Sequence, residues 1–292
     1  MLVKFAVIAG SASKDLGKRI ARRLKAPYVE AKTRVFPDGE SKITFGHIPK
    51  NSVILVVQST YPPVDTNLLQ ALSIISQARK VSSKIYAIIP YMGYARQDRE
   101  FLSGEVVTMS IVARMLKSAG AQKIVVVDIH SKIALNHFKI PKENISAIPE
   151  LAQYFKRMKL KDALVVSPDM GGALRAKRFA SLINTDFIAL KKSRNRNTGK
   201  VVIQSSKVDV RGKDLILVDD IISTGGSIVK ATQFLKKQKC KRVFVACTHG
   251  LFVGDAEKRI KKAGVSRIIS TNTIPRNTSK VDVSGVIADS IR

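Results

Sequence analysis

Seven short apolar runs, near-continuous and rich in β-branched residues, recur along the chain: Phe5–Ala9, Val53–Val57, Ile85–Ile89, Ile124–Val127, Leu164–Val166, Leu215–Val218 and Val243–Ala246. A strand with one wet face alternates apolar and polar residues, whereas a strand covered on both faces is apolar throughout. Helical patterns fill the gaps. Residues 65–81 place Leu68, Leu69, Leu72, Ile75 and Ala78 on one expected face, and residues 103–117 open at Ser103 as a cap and lead to Gly120 in a C-capping position. Strand and helix in alternation predict parallel sheets and an α/β fold.

At 292 residues the chain exceeds one ordinary core. A weak internal repeat accounts for the length. Lys18–Ala21 lines up with Lys177–Ala180, Ile54–Val56 with Ile216–Val218, and Ile85–Ile89 with Val243–Cys247. The expectation is a duplicated α/β domain, with residues 1–145 and 146–280 as the copies and 281–292 as a tail. Ile140-Pro141 and Ile148-Pro149 mark the boundary region.

No apolar run approaches the ~18 residues of a membrane helix, and residues 1–13 have no basic leader, so a soluble, unexported protein is expected. Cys240 and Cys247 are too few and too close to staple such a chain, which fits a reducing cytoplasm. The net charge of +29 favours polyanionic substrates or partners. The basic runs Lys18–Lys25, Lys236–Arg242 and Lys258–Lys262 read as solvated helix faces, and no nucleic-acid role is expected of them.

The segment Leu215–Ser227, LILVDDIISTGGS, carries the most chemistry. It reads as a buried strand, two acids at its carboxyl end, and a small-residue turn opening a helix, at the edge where parallel sheets bind ligands. Backbone N–H groups of Thr224, Gly225, Gly226 and Ser227 suit a phosphate at a helix N-terminus, with Ser223 in the same turn. Asp219 and Asp220 suit either sugar hydroxyls or the water ligands of a magnesium ion. This stretch resembles the loop that binds 5-phosphoribosyl 1-diphosphate in the type I phosphoribosyltransferase fold. The resemblance implies two duplicated phosphoribosyltransferase-like domains, each a mostly parallel sheet flanked by helices.

Four further segments resemble the ribose-phosphate pyrophosphokinase family, not a simple transferase. In FPDGE, Phe36 offers a stacking surface for a purine, and Asp38 and Glu40, around Gly39, offer acceptors for an exocyclic amine. In PYMGYARQDRE, Arg96 and Arg99 suit phosphates or a base, and the resemblance assigns Arg96 and Gln97 to ATP. VVVDIHS sets Asp128 and His130 two residues apart at a strand end, so both are expected on one side; the resemblance assigns His130 to the Mg-ATP site. VSPDMGGALRA offers Asp169 as a hard oxygen ligand, which by resemblance is a metal and ribose residue. THGLF and TNTIP also resemble the family.

Residues 191–200, KKSRNRNTGK, are too polar for a core and read as a mobile lid, the repeat's counterpart of Arg34–Glu40. The family's catalytic Lys-x-Arg maps onto Lys192 and Arg194, the latter also toward ribose 5-phosphate, with Lys191 as neighbour. The implied reaction moves the β,γ-diphosphoryl group of ATP to the 1-hydroxyl of ribose 5-phosphate with magnesium as cofactor. The resemblance also implies a homo-oligomer, a dimer or larger. No general base stands out. An ordinary phosphoribosyltransferase would keep residues 215–227 but has no use for FPDGE with Arg96-Gln97, and a non-catalytic nucleic-acid binder has no use for Lys192, Arg194 and His130.

Overall fold

The computed structural model describes residues 4–49, 52–194, 201–204 and 209–292, of which 192–194 and 201–204 are described by backbone alone. The chain divides into two compact units. Unit 1 comprises residues 1–146, 272–275 and 283–292, and unit 2 comprises residues 147–271 and 276–282.

In chain order unit 1 contains β1 (Phe5–Ala9), α1 (Lys14–Leu24), β2 (Tyr28–Glu30), β3 (Lys32–Val35), β4 (Ser41–Thr44), β5 (Val53–Val57), α2 (Val64–Ala78), β6 (Ile85–Ile89), α3 (Thr108–Ala119), β7 (Lys123–Val127), α4 (Lys132–Asn136) and β8 (Lys142–Ile145). Unit 2 follows with α5 (Ile148–Arg157), β9 (Ala163–Ser167), α6 (Ala173–Leu182), β10 (Phe187–Ala189), β11 (Lys191–Arg194), β12 (Val201–Gln204), β13 (Asp214–Ile222), α7 (Gly226–Lys237), β14 (Arg242–Gly250), α8 (Ala256–Lys262), β15 (Val265–Thr271) and β16 (Ser279–Val281). The last helix is α9 (Ser284–Ile291).

The duplication is visible in the topology. One six-stranded sheet runs β2-β1-β5-β6-β7-β8 and the other β10-β9-β13-β14-β15-β16, the same order with every pairing parallel. Each unit also carries one antiparallel hairpin, β3-β4 and β11-β12. Apolar residues on both faces of the strands are buried, as their unbroken hydrophobicity requires. One face of unit 2 is built around Phe155 of α5, whose ring packs edge-on against Phe179 at 5.7 Å and Phe244 at 6.3 Å between centroids.

Terminal helices complete the sheets. Helix α5 packs on α6 and against β14–β16, and α9 packs on α1 and β8. The segment expected as a tail thus supplies unit 1 with the helix that α5 supplies to unit 2. Arg23 of α1 fixes it by donating from Nε to Ser284 Oγ at 2.9 Å. Pro149 lies in the first turn of α5, where its missing N–H costs nothing.

Several expectations need correction. The repeat differs by one residue from the sequence alignment at its central strand. Phe5 pairs with Val53 in unit 1 and Ala163 with Asp214 in unit 2, so Ile54–Val56 corresponds to Leu215–Leu217, not Ile216–Val218. A one-residue slip would turn every side chain to the opposite face. Leu69 is exposed at 60%, because the buried face of α2 is centred on Leu68, Ala71, Ile75 and Ala78. Helix α3 begins at Thr108, not Ser103, since residues 101–104 form a turn held by acids. Glu105 Oε2 accepts from the Phe101 and Leu102 N–H groups, and Glu100 Oε1 accepts from Gly104 N–H. Gly120 does cap that helix, at φ 116°. Among the described residues no helix is long and apolar enough to cross a membrane.

Candidate active site

The carboxyl edge of the unit 2 sheet gathers Asp169, Asp219, Asp220 and the turn before α7. Asp169 lies just past β9. Its backbone oxygen accepts from Ser167 Oγ at 2.6 Å and its Oδ1 accepts from Gly172 N–H at 3.2 Å. A Cβ at Gly172 would stand 2.6 Å from Ser167 Oγ, so glycine permits this tight return into α6. Asp219 and Asp220 lie toward the carboxyl end of the neighbouring central strand, which runs on to Ile222. Arg175 of α6 reaches both, with Nη1 3.5 Å from Asp219 Oδ1 and Nη2 3.2 Å from Asp220 Oδ2.

The two acids are not equivalent. Asp220 is 5% exposed, whereas a fifth of the Asp219 side chain meets solvent. Burial pushes the Asp219 carboxyl well above the usual carboxylate range, followed by the charge of Asp220 and the hydrogen bond with it; Arg175 pulls it down, and Asp169 adds a smaller upward push. Such a pair, sharing one guanidinium, is suited to neutral hydroxyls that both donate and accept.

The turn itself is fastened from behind. Ser223 O accepts from Val253 N–H at 3.1 Å, and Thr224 O accepts from Arg259 Nη2 at 2.7 Å. In trans peptides the N–H points opposite the carbonyl, so the N–H groups of Thr224 and Gly225 face the other side of the loop. Gly225 is the N-cap of α7 at φ 75° and contributes no side-chain acceptor to the helix start. Its Cβ position lies 2.8 Å from Ile260 Cδ1, a second reason for glycine there.

In unit 1, Phe36–Glu40 is the turn of the β3-β4 hairpin. Phe36 N–H donates to Glu40 O at 2.8 Å, Gly39 N–H donates to Phe36 O at 2.9 Å, and Gly39 has φ 93°. Asp38 and Glu40 are exposed, and the Arg34 guanidinium lies 5.1 Å over the Phe36 ring, covering one face. Arg96 and Gln97 are exposed on a loop that is otherwise buried from Tyr91 to Ala95 apart from half-buried Tyr94, and buried again at Asp98. His130 is exposed beyond β7. The strand ends at Val127 and Asp128 turns to φ 38°, so the expected alternation that would set Asp128 and His130 on one side does not extend that far. Lys192 and Arg194 have their backbones in β11, opposite Ile203 and Val201; their side chains, and residues 195–200 of the expected lid, lie outside the described residues.

Residues 5–120 match the family pattern described as the N-terminal domain of ribose phosphate pyrophosphokinase, and residues 138–283 match the phosphoribosyl transferase domain. Ribose-phosphate pyrophosphokinases from Sulfurisphaera tokodaii and Methanobrevibacter smithii are each 37% identical over 98% of this chain and 99% of theirs. The chain belongs to the ribose-phosphate pyrophosphokinase family. The crystal structure of phosphoribosylpyrophosphate synthetase from Mycobacterium smegmatis superposes with a TM-score of 0.86 at 31% identity, over 99% of this chain and 98% of that one.

Sequence reasoning passed over two residues that build this pyrophosphokinase-family site. Arg175 stood in the quoted VSPDMGGALRA segment, and its signal was one cation three residues past the glycines in a stretch facing two acids. Arg259 falls in a run that reads as a solvated basic face, yet Asp255 orients it at 2.8 Å from Nε and it holds the backbone of the Ser223–Ser227 turn.

Proposed function

We propose that the protein transfers the β,γ-diphosphoryl group of ATP to the 1-hydroxyl of ribose 5-phosphate, releasing AMP. The observation that carries this reading is the full-length match to ribose-phosphate pyrophosphokinases, including their N-terminal domain over residues 5–120; the Ser223–Ser227 turn supports its sugar-phosphate half. The turn's Ser223 and Thr224 carbonyls are engaged by Val253 and Arg259 and the N–H groups of Thr224 and Gly225 face away from them, beside a diacid paired with Arg175. In this reading the turn takes the 5-phosphate, and Asp219 and Asp220 take ribose hydroxyls. Phe36, Asp38, Gly39, Glu40, Arg96, Gln97 and His130 serve ATP. Lys192 and Arg194 stabilise the charge that builds as AMP leaves, because phosphoryl-type transfer depends on positioning and positive charge more than on covalent help.

Magnesium fits the donor set. Among the described residues no group of three or more His, Cys, Asp or Glu is arranged to hold a metal. That is compatible with an ion that keeps several waters and is held by one or two protein groups and substrate phosphates. Asp169 would supply a hard oxygen, and His130 is the residue proposed on the ATP side. Bound magnesium would neutralise charge on the polyphosphate. A cytoplasmic homo-oligomer, dimeric or larger, completes the proposal.

The test is AMP formation that requires both ribose 5-phosphate and magnesium. AMP release without ribose 5-phosphate, or none with all three present, would overturn the reading.

A further inference from the structure

The duplication allows the two sheet edges to be compared position by position. With the register set by the β1-β5 and β9-β13 pairings, Gln58 and Ser59 of unit 1 stand where unit 2 has Asp219 and Asp220, and Ser11 stands where unit 2 has Asp169. The helix that follows is capped by Pro63 in unit 1 and by Gly225 in unit 2. Proline has no N–H, and Pro62 precedes it, so this turn lacks two backbone donors that the unit 2 turn has.

The space is filled by the protein's own hydrogen bonds. Gln58, Ser59 and Thr60 are 0%, 0% and 2% exposed. Gln58 Oε1 accepts from Ala12 N–H at 3.1 Å, and its Nε2 donates to Asn67 Oδ1 at 3.2 Å and Gln70 Oε1 at 3.4 Å. Ser59 Oγ donates to Thr273 O at 2.6 Å and accepts from Tyr91 N–H at 3.1 Å. Thr60 Oγ1 donates to Tyr91 O at 3.0 Å and accepts from Gly93 N–H at 2.7 Å. Two adjacent hydroxyls therefore grip three backbone groups of Tyr91–Gly93, the segment that leads into Arg96 and Gln97. The fit is close, since a Cβ at Gly93 would lie 2.9 Å from Thr60 O.

We infer that Ser59 and Thr60 are positioning residues for nucleotide binding: the unit 1 edge has exchanged ligand contacts for contacts that set the backbone presenting Arg96 and Gln97. This rests on the proposed assignment of those two residues to ATP. Removing the Thr60 hydroxyl leaves Gly93 N–H buried without that partner, while Tyr91 O keeps the Thr60 N–H at 2.9 Å, so the loop shifts to satisfy Gly93.

The experiment compares Thr60→Val, Thr60→Ser and Ser59→Ala with Ile74→Val, a core change in α2 that removes no hydrogen bond, in the AMP-forming assay. Thr60→Val should raise KM for Mg-ATP on the order of tenfold, the effect of one or two lost hydrogen bonds. KM for ribose 5-phosphate should stay within about twofold, Thr60→Ser should restore the wild-type value, and Ile74→Val should show no such split. If Thr60→Val does not fold, Ser59→Ala carries the same expectation. Equal rises in both KM values, or an unmoved KM for Mg-ATP, overturn the inference. A wild-type enzyme that forms no AMP overturns the proposed function itself, whereas an active wild type with no selective effect in these variants overturns this inference alone.

Discussion

The Arg175 guanidinium lies 3.2 Å from one carboxylate oxygen of Asp220 and 3.5 Å from one of Asp219, so a single cation serves both acids at the end of β13. Asp220 is 5% exposed, and removing Arg175 takes an ion-pair partner away from a buried charge. Arg175 keeps some contact with water, so Arg175→Met should cost roughly 2 kcal/mol, below the range for fully buried pairs. KM for ribose 5-phosphate should rise, with Arg175→Lys intermediate because an ammonium lacks the planar fork. Thermal unfolding and steady-state kinetics check both parts; an unchanged KM for ribose 5-phosphate would show that the arginine does not set the diacid.

Asp98, 3% exposed, accepts from Ser131 Oγ, and its backbone oxygen lies 2.7 Å from His137 Nε2. The pair joins the residue after Gln97 to the residue after His130. Ser131 also caps α4 through Ala134 N–H at 3.0 Å, so Ser131→Ala should cost about 1 kcal/mol from the cap alone. A double-mutant cycle of Asp98→Ala and Ser131→Ala should give a coupling of roughly 1 kcal/mol in stability. Additive losses in chemical denaturation would mean the contact contributes nothing of its own.

Cys247 is fully buried beside Asp219 on the adjacent strand. Burial, then the charges of Asp219 and Asp220, push its thiol well above the ordinary value of 9.0. The native thiol should therefore resist alkylation at neutral pH and react only on unfolding. The sign for stability follows: the folded state holds the proton more tightly, so this contribution is intact below pH 9 and is lost as the pH rises toward the folded value. Denaturation midpoints for wild type should fall above pH 9 more steeply than for Cys247→Ala. Parallel curves would assign the alkaline loss to other groups.

The strands were legible because burial on both faces leaves an unbroken apolar signature, as in Val53–Val57, whose bounds were read as they stand. Three-residue strands such as Tyr28–Glu30 and Ser279–Val281 were not, since edge strands of that length carry too few residues to show a pattern. At the candidate site, the Asp219-Asp220 turn was readable from its residue types and spacing. Arg175 and the Ser59–Thr60 clamp were not, because ordinary residues gained their roles only when the sheet register brought Tyr91 and the diacid to them.

Gly225 meets two constraints at once, a φ of 75° and a Cβ position 2.8 Å from Ile260 Cδ1. An alanine there carries the left-handed backbone penalty of about 1–2 kcal/mol, and relieving the contact must re-orient Ile260 or move α8 or the turn. Moving the turn disturbs the N–H groups proposed to take the 5-phosphate, so Gly225→Ala should raise KM for ribose 5-phosphate by at least about tenfold, a barrier of ~1.4 kcal/mol. Adding Ile260→Val shortens the opposing side chain by one methyl and should recover part of that loss without restoring the backbone term. Kinetics on the single and double variants, with stability measured alongside, separate the two contributions. Full recovery in the double variant would show that the clash acts alone, and an unaltered KM in Gly225→Ala would remove the turn from substrate binding.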